Sequence, residues 1–491
     1  MPNVVLITTD QQRFDSLGCN GSSWIHTPAL DALAAGGALF RRAYCSNPVC
    51  TPSRVSIMTG QLPSRHGSYN IGTAAADCSR FLSTVLTERG YRTHQLGKAH
   101  FYPWDVASPE TAVPDGTAPF RDFAGFETAE LTTGHTDWGV SGHYEAWLAE
   151  RGVKKGHGMP QLQVCRLTEG DAYQAGDWGM PVSLHSGAWI VDRTEDFLKN
   201  RDPARPFYLN IGFQDPHHPL SVPGEWPKIP PEKIPLPKGA ADERIGPQKA
   251  LREGTVEEDW GGPFGMAGNQ DTVWKDVSAE AVRTARSYYY SMVELFDSQL
   301  GRLVGLLKEY GVFDDTLLIV TSDHGDMLFD HGLGQKGPVA YEEVLKVPLL
   351  MSWPGKIRPQ TVQEPVSLTD LYPTILDALH IPCPGPCDGL SLMPLLAGGE
   401  SGKGLCRRGV MAEFKEERDA VRYRCFIAKD WKLVEYQGAG FGELYHLKED
   451  PGEERNLWFD PAYLPVKYEL LRQMLEEADR HAFLSDRPCR C

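Results

Sequence analysis

The first apolar stretch, Asn3–Thr9 (NVVLITT), is short and almost uninterrupted. A β-branched run without polar alternation predicts a strand covered on both faces. It ends in Asp10-Gln11-Gln12-Arg13. Thr27 and Pro28, followed by Leu30, Leu33, Ala34 and then Gly36, predict a capped helix. The alternation repeats with a helix over Leu82–Arg89 before a strand at Tyr91–Leu96, and a helix over Trp189–Leu198 before a strand at Phe207–Phe213. The longest helical period is Ala279–Tyr310, where Val282, Ala285, Tyr289, Met292, Val293, Phe296, Leu300, Leu303, Val304 and Leu307 step mostly by threes and fours. Strands at Thr316–Thr321 and Val347–Met351 follow, then a helix over Leu368–Leu379. This βαβα rhythm predicts an α/β fold with a mostly parallel central sheet flanked by helices.

Two stretches depart from it. Val222–Gly239 carries six prolines and is expected to cross the surface as an extended segment. Beyond about residue 400 come short strand-like runs, Cys425–Ala428, Lys432–Tyr436 and Glu443–Leu447, then a helix from Ala462 to about His481. The expected division is therefore a main domain, 1–400, and a smaller C-terminal α+β subdomain on an antiparallel sheet, 401–491. The sequence contains no internal repeat and no low-complexity tract.

Composition narrows the function. Forty-nine Lys and Arg against 65 Asp and Glu give the 491-residue chain a net charge of −16. That excludes a general nucleic-acid binder, and an anionic substrate would need a local cluster of cations. No apolar run approaches the roughly 18–20 residues of a membrane span. The opening Met1-Pro2-Asn3-Val4 enters a strand at once, without the basic and apolar regions of a signal peptide, so a cytoplasmic location is expected. Eleven cysteines are too sparse for a disulfide scaffold. The close pairs Cys383/Cys387 and Cys489/Cys491 lack the company that structural zinc needs.

In open parallel sheets, functional groups gather at the carboxyl ends of strands. The first strand delivers Asp10 and Gln11 there, and the strand at 316–322 delivers Asp323 and His324. Two carboxylates, a carboxamide oxygen and an imidazole at one sheet edge suit a divalent cation.

Between them lies Cys50-Thr51-Pro52-Ser53-Arg54, within NPVCTPSRVSIMTGQLPSRHG. This resembles the signature of the type I sulfatases, Cys-x-Pro-x-Arg followed by a short helix closed at Thr59-Gly60. Further segments resemble the family's landmarks in order: Gly97-Lys98-Ala99-His100, Pro216-His217-His218-Pro219, Ser322-Asp323-His324-Gly325, Lys336, Asp388-Gly389-Leu390-Ser391-Leu392 and the ELYHLKEDPGEERNL block. The resemblance runs from Asn3 to about Leu457 and implies the alkaline-phosphatase-like fold and hydrolysis of sulfate esters.

It also implies that Cys50 is oxidised to formylglycine by a formylglycine-generating enzyme that reads the Pro and Arg of the pentapeptide. The aldehyde hydrates to a diol. One hydroxyl attacks sulfur and the alcohol departs; the other then loses its proton, sulfate leaves and the aldehyde reforms. The resemblance gives Asp10, Gln11, Cys50, Asp323 and His324 to the metal site. Arg54 pairs with the diol and a metal ligand. Lys98 and Lys336 stabilise the sulfuryl oxygens, His100 handles the diol proton, and His217 assists the leaving oxygen. His66 and His331 stand beside motif residues without an assigned role, and His218 occupies a variable position.

Gln11 and His324 depart from the Asp and Asn of many sulfatases and match branches that include hydrolases of phosphonate and phosphate diesters. The resemblance makes Ca²⁺ the default ion; Mn²⁺ is a serious competitor, because imidazole is a softer ligand than Asn, and Mg²⁺ stays open. The leading expectation is thus a sulfate-ester hydrolase acting on a small-molecule or carbohydrate substrate. A phosphonate monoester or phosphodiester hydrolase is the alternative, and a catalytically silent binding protein the remote one. The alcohol is expected to be selected by Phe101–Gly179 and Val222–Asp276, rich in aromatics (Trp104, Trp138, Tyr144, Trp147, Trp178, Trp226, Trp260, Trp274). Oligomeric state stays open, with a homo-oligomer allowed.

Overall fold

The structure is a computed structural model. It describes residues 1–75, 77–103, 108–110, 118–135, 138–153, 163–166, 174–237, 278–396, 405, 407–415 and 421–479, with no side-chain description at 134–139, 163–166 and 174. Trp104, Trp260, Trp274, Cys489 and Cys491 lie outside the described residues, as does the side chain of Trp138.

The strands of the main sheet are β1 (Asn3–Thr9), β2 (Ala38–Phe40), β3 (Arg92–Gly97), β4 (Phe120–Phe123), β5 (Phe126–His135), β6 (Trp138–Gly142), β7 (Phe207–Gly212), β8 (Thr316–Ser322), β9 (Leu349–Ser352) and β10 (Gln360–Val362). Their order is β10-β2-β9-β8-β1-β7-β3-β5-β4, with β6 hairpinned onto β5. The central strands β8, β1, β7, β3 and β5 pair in parallel, and β4, β6 and β9 join antiparallel. Every residue of β1, β7 and β8 is buried, as their unbroken apolar runs require.

Helices cover both faces. α1 (Pro28–Gly36), α4 (Ser186–Lys199) and the 31-residue α5 (Ala279–Glu309) lie on one side; α2 (Cys50–Thr59), α3 (Leu82–Glu88) and α6 (Leu371–Ala378) lie on the other. Asp297 of α5 caps α1, its carboxylate oxygens accepting from Leu30 N at 2.8 Å and Ala29 N at 3.0 Å. Among the described residues, no helix is long and apolar enough to cross a membrane.

Val347–Met351 is not one strand. Pro348, which lacks an N–H, separates Lys346–Val347 from β9, and the two pieces join different sheets. The described part of Val222–Gly239 does not simply cross the surface. Ile229 and Ile234 are buried in the cluster that contains Tyr289 and Val293 of α5, and the Ile229 amide donates to Ser291 Oγ at 3.0 Å.

The C-terminal sheet is antiparallel and four-stranded: β11 (Val410–Lys415), β12 (Arg422–Ile427), β13 (Trp431–Tyr436) and β14 (Gly442–His446). Helix α7 (Leu464–Asp479) packs on it through Leu470 and Met474. The division expected at residue 400 falls outside the described residues. This sheet braces the loops of the parallel sheet. Asn47 Nδ2 donates to Glu413 O at 2.7 Å, Tyr423 OH to Val339 O at 3.0 Å, and Lys432 Nζ to Ala340 O at 2.8 Å.

Candidate active site

Strand register assembles the site. Thr9 of β1 pairs with Ser322 of β8, Thr8 with Gly212 of β7, and Gly212 with Gly97 of β3. Asp10, Asp323 and Lys98 therefore leave one sheet edge at nearly the same height. The approach of β3 to β7 needs two glycines here. Gly97 sits at φ +83°, and a Cβ at Gly212 would lie 1.9 Å from Lys98 O.

Cys50 is the first residue of α2, which is buried along its whole length. Its Sγ stands 3.2 Å from His324 Nε2, 3.0 Å from Lys336 Nζ and 3.6 Å from Asp10 Oδ1. Arg54, one turn further, donates from Nε to Asp323 Oδ2 at 2.8 Å. Asp323 Oδ1 also accepts from Gln11 N at 3.0 Å and His324 N at 2.9 Å. Lys98 Nζ donates to Asp10 Oδ2. Lys336 Nζ lies 2.9 Å from Gln11 Oε1 and 2.8 Å from His217 Nε2. Asp10, Cys50, Asp323 and His324 offer ligand atoms all within 4.8 Å of one another.

Charge follows from this packing. Burial works to raise the Asp10 pKa, but Lys98, His217, Lys336 and Arg54 outweigh it and hold the carboxyl well below its usual range. Burial, helped by Asp10, pushes the Cys50 thiol up against the pull of Lys336 and Lys98. His324 is pulled down to about 4, chiefly by burial. Its ring is therefore neutral near pH 7. Nδ1 lies 2.8 Å from the Gly325 carbonyl, an acceptor, so the proton sits there and Nε2 keeps its lone pair toward Cys50 Sγ. A metal-ligating imidazole needs that tautomer. With two carboxylates and the Gln11 carbonyl oxygen, the donor set fits a hard-to-borderline divalent ion.

His217 lies well below its usual pKa through burial first and Lys336 next. Its Nδ1 is 2.6 Å from His218 O, which leaves Nε2 to accept from Lys336. His218 stacks on it with ring centroids 4.1 Å apart. His100 is also buried. Its backbone N donates to Glu110 Oε2 at 2.9 Å, and burial, then Lys98 and Arg54, disfavour its charged form. Thus the ten residues singled out from sequence gather at one sheet edge. His66 and His331 do not join them. His66 Nε2 faces Ser56 Oγ at 2.9 Å, while His331 stacks on Tyr341 at 3.9 Å.

Two contributors escape a sequence reading. Asp326 accepts from Gln11 Nε2, and Tyr289 OH donates to Gln11 O at 2.7 Å. Asp326 follows the Asp323-His324-Gly325 segment directly, and this adjacency was its one signal. Tyr289, 278 residues from Gln11, had none.

Comparison with known proteins agrees with this geometry. The sulfatase family model matches residues 2–381, and the model for N-sulphoglucosamine sulphohydrolase, C-terminal, matches residues 330–480. An arylsulfatase of Clostridium perfringens is 29% identical over 493 residues, covering 96% of this chain and 93% of that protein. A choline-sulfatase of Rhizobium meliloti is 27% identical, covering 94% of this chain and 83% of that protein. Among solved structures, a phosphonate monoester hydrolase of Agrobacterium radiobacter superposes with a TM-score of 0.79 at 25% identity, covering 98% and 96% of the two chains. Since the family model spans most of the 491 residues and the same span delivers the buried cysteine, carboxylates, imidazole and lysines to one edge, the chain belongs to the sulfatase family and is a sulfuric ester hydrolase.

Proposed function

We propose that the protein hydrolyses sulfate esters of a small alcohol, phenol or sugar with a formylglycine made from Cys50 by a formylglycine-generating enzyme. One observation carries the reading: Cys50 Sγ, standing where the nucleophilic oxygen of the aldehyde hydrate would be, lies within 3.6 Å of Asp10, His324 and Lys336. Asp10, Gln11, Asp323 and His324 would hold a divalent ion, Ca²⁺ by family default and Mn²⁺ or Mg²⁺ as competitors. Such an ion supplies Lewis acidity toward a sulfuryl oxygen and a more acidic hydroxyl at position 50.

The remaining roles belong to the chain. Arg54 holds Asp323 in place and compensates its charge. Lys98 and Lys336 present cations, buried to 3% and 5% exposure, to the oxygens on sulfur and to the oxygen that becomes the alcohol. Neutral His217, accepting from Lys336, orients that ammonium toward a sulfuryl oxygen and the leaving oxygen beside it, and His100 receives the second hydroxyl's proton.

A second reading has specific support. The phosphonate monoester hydrolases of Agrobacterium radiobacter and Silicibacter pomeroyi superpose with TM-scores of 0.79 and 0.77. Gln11 and His324 also suit that chemistry. Two measurements test both readings. Peptide mass spectrometry around Cys50 is expected to find the aldehyde or its hydrate, and kcat/KM is expected to favour aryl sulfate over aryl phosphonate. An unmodified thiol in fully active protein would overturn the formylglycine reading, and a reversed ratio would make the phosphonate activity primary.

A further inference from the structure

The loop after α6 carries Cys383-Pro384-Gly385-Pro386-Cys387, two thiols with no part in the chemistry at Cys50. Their sulfurs lie 3.9 Å apart. Cys383 is exposed and Cys387 half-buried, so a dissolved reagent meets Cys383 first. Pro384 and Pro386 fix two of the intervening φ angles, which keeps the thiols together before any bond forms. A disulfide of about 2.05 Å requires an approach of roughly 2 Å, within the reach of one side-chain rotation at an exposed cysteine.

The surroundings divide the two thiols. Cys383 Sγ also lies 3.0 Å from Gly385 O. Its pKa is pulled down, first by the contact with Cys387, which outweighs burial, with Arg80 adding positive charge. The same contact and burial push Cys387 up. Arg80 is held in place by donating to Pro386 O at 2.8 Å. An exposed, more acidic thiol 3.9 Å from a less acidic, half-buried one is the pattern of an attacking and a resolving cysteine.

The loop also grips the catalytic helix. Gly60, which closes α2, accepts at its carbonyl from Asp388 N at 2.7 Å and Gly389 N at 3.1 Å. The Asp388 carboxylate accepts from Leu62 N at 2.7 Å and pairs with Arg65 at 2.7 Å. Gln61 Nε2 donates to Pro386 O at 3.2 Å. The dithiol thus sits against the far end of the helix that opens with Cys50.

We propose that Cys383 and Cys387 are a redox-modification site, which a low-molecular-weight disulfide converts to an intramolecular disulfide that clamps the C-terminal end of the Cys50 helix. The Cys383 thiolate attacks one sulfur of the reagent and releases one thiolate. Cys387 then loses its proton, attacks the Cys383 sulfur and releases the second. Two electrons and two protons pass from the protein dithiol to the reagent, which leaves as two thiols.

The test uses reduced, full-length protein and glutathione disulfide at pH 7. The peptide carrying both cysteines is expected to lose two hydrogens in mass. Cys383 is expected to react about two- to fourfold faster than a cysteine of ordinary pKa, because its larger thiolate fraction is partly offset by lower nucleophilicity. Cys387→Ser should trap one glutathione on Cys383, and Cys383→Ser should acquire neither modification. Amide exchange at Leu62 and Asp388 should slow several-fold in the oxidised protein and stay unchanged in Cys383→Ser given the same treatment. A dithiol that persists, a stable mixed disulfide in the parent, or an internal disulfide without slowed exchange would each overturn the proposal.

Discussion

Lys336→Met removes the ammonium shared by Cys50 Sγ, Gln11 Oε1 and His217 Nε2 while keeping a stem of similar length. The side chain is only 5% exposed, so solvent screens the lost charge little. A unit charge about 3 Å from a fully formed oxyanion contributes roughly 5 kcal/mol at an effective dielectric of about 20. Only part of that charge develops in the transition state, which brings the expected loss to about 2–4 kcal/mol, the scale of deleting one preorganised donor. The expected fall in kcat/KM on nitrophenyl sulfate is therefore about 30- to 1,000-fold. Asp10 keeps its bond from Lys98, so the fold should survive, which thermal unfolding of the same preparation checks. An exposed structural lysine would contribute at most about 1 kcal/mol. A loss below about fivefold in a fully folded, fully modified variant would refute the placement of this charge at the reacting group.

Four further outcomes follow from other contacts. His324 is neutral down to about pH 4 in the fold. Divalent-ion affinity, followed by chelator competition, should therefore hold as pH falls to about 5 and collapse near 4; a loss centred on about 6.5 would contradict a buried ligand. The unfolded histidine gains its proton near 6.5 and the folded one near 4, so the linkage withdraws stability as pH drops across that window, by up to about 3 kcal/mol in denaturant titrations. Asp326→Asn replaces the carboxylate acceptor of Gln11 Nε2 with a neutral amide that binds it more weakly, so the carboxamide is held less firmly in its present orientation. Ion affinity should fall about 10–100-fold, and an unchanged affinity would remove Asp326 from the site. Asp297→Ala should cost about 1–2 kcal/mol in chemical denaturation by stripping the acceptors from Ala29 and Leu30 N–H, with partial recovery in Asp297→Asn.

Much of this arrangement is legible in the chain because parallel strands buried on both faces leave unbroken apolar runs. Asn3–Thr9 and Thr316–Ser322 could be seen directly, and the residues after them are the metal-site candidates Asp10, Gln11, Asp323 and His324. Pairing partners are decided at long range and leave weaker marks. The break at Pro348 and the antiparallel pairing of Leu349–Ser352 follow from which strand lies alongside, which local pattern does not encode. Val410–Lys415 was missed because its polar Glu413 and Lys415 mask a strand that only the C-terminal sheet completes. The buried Ile229 and Ile234 were hidden by prolines that forbid regular structure without forbidding burial.

The net charge of −16 is overturned locally by enclosure. Arg54, Lys98 and Lys336 gather against Asp10 and Asp323 at the sheet edge, so an anionic group meets three cations there. A sulfate monoester, a phosphonate monoester and a phosphodiester each bring one negative charge, so charge alone cannot separate them. Their oxygens can. A sulfate monoester presents three non-bridging oxygens on sulfur, whereas a phosphonate monoester presents two and a carbon substituent. If Lys98, Lys336 and the divalent ion each engage an oxygen, phosphonate leaves one buried donor facing carbon, a penalty of about 1–3 kcal/mol, or roughly 5–150-fold in kcat/KM. The lysine that faces the odd position can then be identified. Its Met variant should lose much of the preference for sulfate, because the unpaired donor is gone, while the other variant lowers both activities in parallel. Equal losses on both substrates in Lys98→Met and Lys336→Met alike would mean that neither lysine reads the third oxygen.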